Sequence, residues 1–451
     1  MYFGPPVVSQ TALLALITAL SVSISYARTQ GPCDIYSAAG TPCVAAHSTV
    51  RTLYATYIGA LYEVRRASDG QVISIKTGID GFADAAAQDS FCDATVTSSH
   101  TNPLDCFTEE PESAKLPNVC FGAYSVKTDT NTSAQCATKC LADPKCVQFV
   151  KATPAYGDPH ACRLSYTCDK PTSFLAGFDG YQRNLTKPGC GLPPGGCTIS
   201  RIFDQSGNQN HLYTAPAGSA HGAADNGANA SALKLTVGGH TVYGVYFEHG
   251  SGPGRAHSGT GYRCDNTSMV AKDDDPETIY MVTSGTRFNA GCCFDYGNAE
   301  TDNRADGKGA MEAVYWGNIS APAWSRGTGQ GPWVMADMEA GVWAGNQVPV
   351  SPNNIPVAAD YVTAMVKGKS GVFGLKGGDA NAPELRTMYE GPRPPGYTPM
   401  RKQGAIVLGV GGDNSDAAVG SFFEGVLTQG YSTDAADDAV QRNIAQAGYG
   451  R

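Results

Sequence analysis

Apolar and polar residues alternate in short runs along most of this chain, and Gly, Pro, Asn and Asp close the runs. Such period-two alternation over about 4–8 residues marks a half-buried strand. Residues 53–65 mix aromatic and β-branched side chains and run into Ser68-Asp69-Gly70, a turn. Residues 233–247 predict a hairpin of two alternating strands about Gly238-Gly239. Further strands are predicted over 278–282, 310–316, 333–338, 361–366 and 405–410. Many short strands with abundant turns predict an all-β fold, a sandwich or a barrel. One late segment breaks the pattern. Residues 433–447 have low β-propensity, acids early and Arg442 late, which predicts a terminal helix.

The N-terminus changes this picture first. Residues 12–24 are almost wholly apolar but too short to cross a membrane, and Ser25-Tyr26-Ala27 places small residues at a cleavage site. A signal peptide is expected over 1–27, and with it secretion and no membrane anchor in the mature chain. The 451 residues allow one large domain and a smaller one. A net charge of -9 argues against nucleic acid as a partner. Fifteen cysteines suit an oxidising compartment. Five N-x-S/T sequons, at Asn131, Asn184, Asn229, Asn266 and Asn318, are candidate glycosylation sites.

Eight of the cysteines fall within 106–190: Cys106, Cys120, Cys136, Cys140, Cys146, Cys162, Cys168 and Cys190. This segment reads as a small disulfide-stapled module inserted between 28–105 and 191–451, or as a decorative loop that the cysteines merely hold. The spacing Cys136-x3-Cys140-x5-Cys146, then Cys162, resembles apple/PAN modules, as does the closing Gly177-Phe178-Asp179-Gly180-Tyr181. That resemblance implies a glycan or a protein as its ligand. With a self-contained insert, Cys92 and Cys197 flank it and are placed to pair. Cys33 and Cys43 would then close a short N-terminal loop, and Cys264 would be the odd thiol; spacing alone does not fix these pairings.

Candidate chemistry is concentrated late in the chain. Over 333–339, strand alternation points Trp333, Met335, Asp337 and Glu339 to one face and Val334, Ala336 and Met338 to the other. Two acids beside Trp and Met suit a concave sugar-binding face, or else a strand end that leaves both acids in solvent. Gly411-Gly412-Asp413-Asn414-Ser415 follows an apolar strand. Its glycines permit close approach of a ligand to the backbone; alternatively Asp413 only caps a tight turn. Cys292-Cys293 would form an eight-membered ring presenting an apolar sulfur surface, unless each cysteine pairs elsewhere. Residues 203–208, FDQSGN, read as a structural turn in which Asp204 or Asn208 bonds backbone; His211 nearby could be a ligand or base, though a lone His is more often neither. No G-x-S-x-G, H-E-x-x-H or Walker motif is present.

Taken together, GPCDIY at 31–36, TPCVAAHSTVR at 41–51, FDQSGNQNHL at 203–212, GCCFDYGNAET at 291–301, GPWVMADME at 331–339 and GAIVLGVGGDNS at 404–415 resemble the catalytic domain of glycoside hydrolase family 54, the α-L-arabinofuranosidase B enzymes. The resemblance implies a concanavalin-like β-sandwich. It implies a retaining exo-glycosidase acting on terminal α-L-arabinofuranosyl groups of arabinoxylan, arabinan and related polysaccharides, without metal or cofactor and as a monomer. Glu339 would be the nucleophile and Asp413 the acid/base, starting protonated beside the negative Glu339. Asp337, Trp324, a Cys292–Cys293 disulfide and the Gly412 backbone would contact the sugar. Ala340 and Gly341 stand where the family typically has Asn, which removes side-chain bonds to the sugar. The β-trefoil that the family usually appends is not expected here, and the cysteine-rich insert would take over its binding role. The alternatives are an exo-glycosidase for another furanoside or a β-xyloside, and a lectin-like protein that lost catalysis.

Overall fold

Two antiparallel sheets carry the catalytic-type segments of the chain. The computed structural model describes residues 1, 4, 28–92, 102–110, 125–129, 132–142, 146, 148–152, 161–165, 178–183, 196–250, 259–346 and 349–451. The expected signal peptide, apart from Met1 and Gly4, and Asn131, Asn184, Cys120, Cys168 and Cys190 lie outside these residues.

One sheet has six strands in the order Cys43–Ser48, Glu424–Gln429, Glu277–Ser284, Tyr361–Lys369, Val372–Asp379, Arg386–Pro392. The other has ten: Val342–Trp343, Trp333–Asp337, Glu312–Gly317, Asp295–Ala299, Ala405–Leu408, Tyr262–Cys264, Leu212–Thr214, Cys197–Ile202, Ala60–Arg66, Val72–Lys76. Their inner faces share one apolar core. Ile279, Met281, Ala364, Val366, Phe373 and Leu375 of the first sheet meet Tyr296, Val314, Trp316, Val334, Ala336, Ile406 and Leu408 of the second. Of the sandwich or barrel that alternation allowed, the all-β sandwich implied by the resemblance is the architecture found.

The hairpin expected about Gly238-Gly239 is Lys234–Val237 paired with His240–Tyr243. Both glycines have positive φ, +57° and +80°, as a two-residue hairpin turn demands. Val245–Phe247 leaves that hairpin and pairs instead with Gly420–Phe422. The terminal helix spans Asp434–Ala447. Thr433 caps it by accepting a hydrogen bond from the Ala436 amide at 3.2 Å, and Gly448 ends it in the left-handed conformation. Its inner face carries a buried ion cluster, in which the Asp437 carboxylate takes Lys367 and Lys376 at 2.8 Å each.

The FDQSGN stretch is the structural turn expected of it. The Asp204 carboxylate accepts from the amides of Ala46, Ser206 and Asn210 at 2.8–3.0 Å, and Asn208 donates to the Val44 carbonyl. His211 accepts from the Asp204 amide at 2.9 Å, a backbone prop.

Disulfides join Cys33 to Cys43 and Cys92 to Cys197. Cys264 is free and half-buried. Within the cysteine-rich segment, Phe107–Glu110, Phe178–Arg183, Gln148–Ala152, Ala161–Ser165 and Ser125–Asp129 form a separate five-stranded sheet, with the helix Ser133–Ala142 against it. It has its own small core of Ala137, Phe149, Leu164 and Tyr181, with disulfides Cys136–Cys162 and Cys140–Cys146.

Candidate active site

The strand Trp333–Asp337 fixes one wall of the site. Its register against Glu312–Gly317 alternates as expected, so Val334 and Ala336 enter the sandwich core. The opposite face departs from expectation. Trp333 and Met335 are not an open sugar platform; they are buried with Cys293, Tyr315, Ile319, Val342 and Ala344 in a second apolar cluster, and the Trp333 indole donates to the Thr328 carbonyl at 2.7 Å. Loops that cross this face cover it, which alternation within one strand cannot reveal.

A second departure concerns Glu339. The strand stops at Asp337, and Glu339 and Ala340 both adopt left-handed backbone, φ 58° and 54°. Non-glycine residues pay about 1–2 kcal/mol each for that conformation, and such strain gathers at functional sites. Three bonds hold the turn. The Glu339 amide donates to Asp337 Oδ1 at 3.0 Å, the Met338 amide to the Gly341 carbonyl at 3.1 Å, and the Tyr397 hydroxyl to the Glu339 carbonyl at 3.2 Å. Gly341 is sterically required. A Cβ there would lie 2.5 Å from Trp343 Nε1 and 2.6 Å from the Tyr397 hydroxyl. Where the resemblance anticipates Asn, an indole and a phenol occupy the space in this chain.

The opposite wall is the loop after Ala405–Leu408. Gly411 and Ser415 close it through an amide-to-carbonyl bond of 3.0 Å, and the Ser415 amide donates to Asp413 Oδ1 at 3.0 Å. Asp413 thus caps its own turn and remains half-buried. The turn expected as the alternative for this loop is present, with Asp413 bonded within it. Cys292 and Cys293 are bonded to each other across a cis peptide. The Cys293 amide donates to the Ser415 carbonyl, and Cys293 Sγ lies 3.3 Å from Asp337 Oδ2 and 3.6 Å from Ser415 Oγ. The sulfur pair therefore bridges the Asp337 and Asp413 walls. Trp324 is half-buried and, like Cys292, packs against the buried cluster around Trp333 and Cys293. All the predicted contact residues, Asp337, Glu339, Ala340, Gly341, Gly412, Asp413, Cys292, Cys293 and Trp324, belong to these walls. With both sulfurs in the disulfide, Cys292 and Cys293 are unavailable as metal ligands. His221, Asp225 and Asp416 bring ligand-type atoms within 4.8 Å of one another behind the Asp413 loop; Asp416 there accepts from the Gly259 amide at 2.8 Å.

Two further acids were not anticipated. Asp295, at the start of its strand, is fully buried close to Asp337. Glu300, one residue beyond the same strand, is also buried, close to Glu339. Neither carboxyl has a hydrogen-bond donor on it among the described residues. Burial, followed by the neighbouring carboxyls, raises Glu339. Burial raises Asp295 and Glu300 as well, and Asp337 is pushed up to about 7, burial again being the largest cause. Both new residues lie in the GCCFDYGNAET stretch. The available signal was an acid at each end of a strand that is otherwise apolar or small.

The description "Alpha-L-arabinofuranosidase B, catalytic" belongs to a family model that matches residues 32–186 and 193–450. A probable α-L-arabinofuranosidase B of Aspergillus fumigatus is 37% identical over 426 residues, 93% of this chain and 62% of that protein. An α-L-arabinofuranosidase of Hypocrea jecorina is 36% identical over 425 residues, 93% of this chain and 63% of that protein. This chain therefore spans less than two thirds of the length of these relatives. A crystal structure of an arabinofuranosidase complexed with arabinofuranosyl-α-1,2-xylobiose superposes with a TM-score of 0.66 at 34% identity, covering 93% of this chain and 66% of that one.

Proposed function

The chain belongs to the α-L-arabinofuranosidase B catalytic family, and from that premise we propose that it is a retaining exo-glycosidase that releases terminal α-L-arabinofuranosyl groups from plant polysaccharides such as arabinoxylan and arabinan. The observation that carries this reading is the pair of walls, one bearing Glu339 and the other Asp413, joined by the Cys292–Cys293 sulfurs.

In this mechanism Glu339 attacks the anomeric carbon as a carboxylate while Asp413 gives its proton to the departing glycosidic oxygen. The products are a glycosyl ester on Glu339 and a free alcohol. Water then attacks the anomeric carbon and gives its proton to Asp413, the bond to Glu339 breaks to restore its carboxylate, and arabinose leaves with its configuration retained. Asp337 holds sugar hydroxyls, the flat sulfur pair and Trp324 pack on the ring, and the Gly412 backbone closes over it. Ala340 and Gly341 offer no side-chain polar groups to the sugar.

We place the mature enzyme outside the cell, with 1–27 as leader, 28–105 and 191–451 as the catalytic unit, and 106–190 as an apple/PAN-like insert that binds glycan or protein. Asn229 and Asn266 are exposed and suited to glycosylation, whereas Asn318 is half-buried with its side-chain oxygen enclosed.

The test is arabinose release from p-nitrophenyl α-L-arabinofuranoside by the parent, Glu339→Gln and Asp413→Asn. The parent is expected to turn over, and each variant to lose about 100-fold or more in kcat. No turnover by a folded parent overturns the reading. A Trichoderma koningii relative, 36% identical and named Arabinofuranosidase/B-xylosidase, makes the β-xyloside the second substrate to assay.

A further inference from the structure

The turn at Glu339 and Ala340 needs an outside hold, because neither residue favours the left-handed backbone it adopts. Two bonds on this turn come from other segments. The Tyr397 hydroxyl donates to the Glu339 carbonyl at 3.2 Å, and the Gly309 amide donates to the Met338 carbonyl at 2.8 Å. Both lead to one stretch, residues 393–402, since the Gly309 carbonyl in turn accepts from the Arg401 amide at 2.7 Å. Tyr397 is fully buried, its ring edge-on to Trp343 at a centroid distance of 5.5 Å, so its hydroxyl has little freedom to leave that carbonyl. Three of the ten residues in the stretch are proline, whose φ is fixed.

One buried ion cluster pins both ends of this stretch. Arg393 at its start pairs with Asp274 at 2.6 Å and with Glu312 at 3.2 Å. Lys402 at its end pairs with the other oxygen of Glu312 at 3.1 Å and with Glu277 at 2.8 Å, and it donates to the Asp275 carbonyl at 2.7 Å. Glu312 thus holds the two ends together. It opens the strand Glu312–Gly317, which pairs directly with Trp333–Asp337, while Glu277 opens a strand of the other sheet. Asp274 also accepts from the Met400 amide at 3.1 Å. Arg393, Lys402, Glu277 and Glu312 are each at most 5% exposed. Charges separated there would have no water to turn to, so the ends are costly to release.

We propose that residues 393–402 are a clamped strap that aims the nucleophile, with Tyr397 as its positioning residue. The ion cluster sets the strap, the strap sets the Tyr397 hydroxyl, and the hydroxyl holds the left-handed turn from which the Glu339 carboxylate attacks. Tyr397 bonds the backbone of Glu339 and takes no part in proton transfer. The ion cluster acts at a distance, through Tyr397. This inference rests on the reading of Glu339 as nucleophile.

The test is the effect of Tyr397→Phe with and without the carboxylate that Tyr397 is held to aim. On p-nitrophenyl α-L-arabinofuranoside, Tyr397→Phe is expected to lower kcat about tenfold and to leave KM within about twofold of the parent. In Glu339→Ala, added azide supplies the nucleophile: it bonds to the anomeric carbon as p-nitrophenolate leaves, giving the arabinosyl azide. In that background Tyr397→Phe is expected to change the azide-dependent rate by less than about twofold, because the group it aims is gone. An equal loss in both backgrounds means that Tyr397 supports the site as a whole, and overturns the proposal. No loss in the parent background overturns it too. Failure of azide to restore turnover to a folded Glu339→Ala is seen before Tyr397 is touched; it overturns the reading of Glu339 as nucleophile, and the proposal with it. Glu312→Gln keeps the shape of that side chain and withdraws its charge from both ends of the strap. It is expected to lower kcat with KM nearly unchanged, and its combination with Tyr397→Phe to stay close to the slower single variant. Losses that multiply would detach the ion cluster from Tyr397 and overturn the clamp. Should Glu312→Gln not fold, the two Tyr397→Phe rates still decide.

Discussion

Asp337 is buried among other acids. Burial and the carboxyls of Glu300 and Asp413 push it up to about 7, against about 3.9 in an unfolded chain. Between those values the folded protein binds more protons than the unfolded one, so this residue makes stability fall as pH rises from about 4 to about 7. Asp337→Asn removes that titration and keeps an oxygen for the Glu339 amide. Its melting temperature is expected to match the parent near pH 4 and to exceed it increasingly toward pH 7, while kcat/KM drops about tenfold or more. Scans at several pH values, paired with kinetics, check both halves. Gly412 allows a sharper steric test. Gly412→Ala drives a methyl into Glu300 Oε2, and kcat/KM is expected to fall about 100-fold. Gly222→Ala, whose Cβ would meet nothing within 4 Å, should leave kinetics unchanged. At this scale Asp337, Glu339 and Asp413 were legible as acids beside aromatic or glycine-rich positions. Asp295 and Glu300 were not, because their significance lies in a contact across strands.

Elements deliver these side chains, and each ends where its local chemistry changes. The strand from Trp333 was readable from alternation as far as Asp337. The left-handed turn at Glu339 and Ala340 was not, since neither residue prefers that backbone. What enforces it is Tyr397, which comes from elsewhere in the chain. The terminal helix shows the opposite case: low β-propensity and early acids named it, and Thr433 and Gly448 bound it. Its docking was hidden, because it depends on Asp437 meeting Lys367 and Lys376 of two different strands. Removing Asp437 leaves the two buried lysines with the exposed Asp434 as their remaining carboxylate. Asp437→Ala is expected to cost about 3–5 kcal/mol, read as a lower denaturation midpoint, with kcat on the aryl arabinofuranoside unchanged at temperatures where the variant is folded.

Across the whole molecule, the cysteine-rich segment is a sheet with its own core between the paired Cys92 and Cys197. The bridge brings the Cα atoms of its ends to 5.5 Å, close enough for a short linker. Deleting 106–190 is expected to leave hydrolysis of the aryl arabinofuranoside intact and to reduce retention on insoluble arabinoxylan in a pull-down. Retention equal to the parent would remove the binding role proposed for the insert.

Period-two alternation, turn residues and cysteine spacing are local properties. They sufficed for the all-β class, the hairpin at Gly238-Gly239 and the final helix, and they left Cys33–Cys43 and Cys92–Cys197 as pairings for the fold to settle. Motif residues singled out Glu339 and Asp413 as candidates. The tertiary structure alone decided which face of the Trp333 strand is covered, what crowds the position of Gly341, and which carboxyls are buried together. Those outcomes depend on the volume and charge that distant segments bring to one point. Glu300 illustrates the reason: its carboxyl fits where it does only because Gly412, from another segment, leaves the space empty.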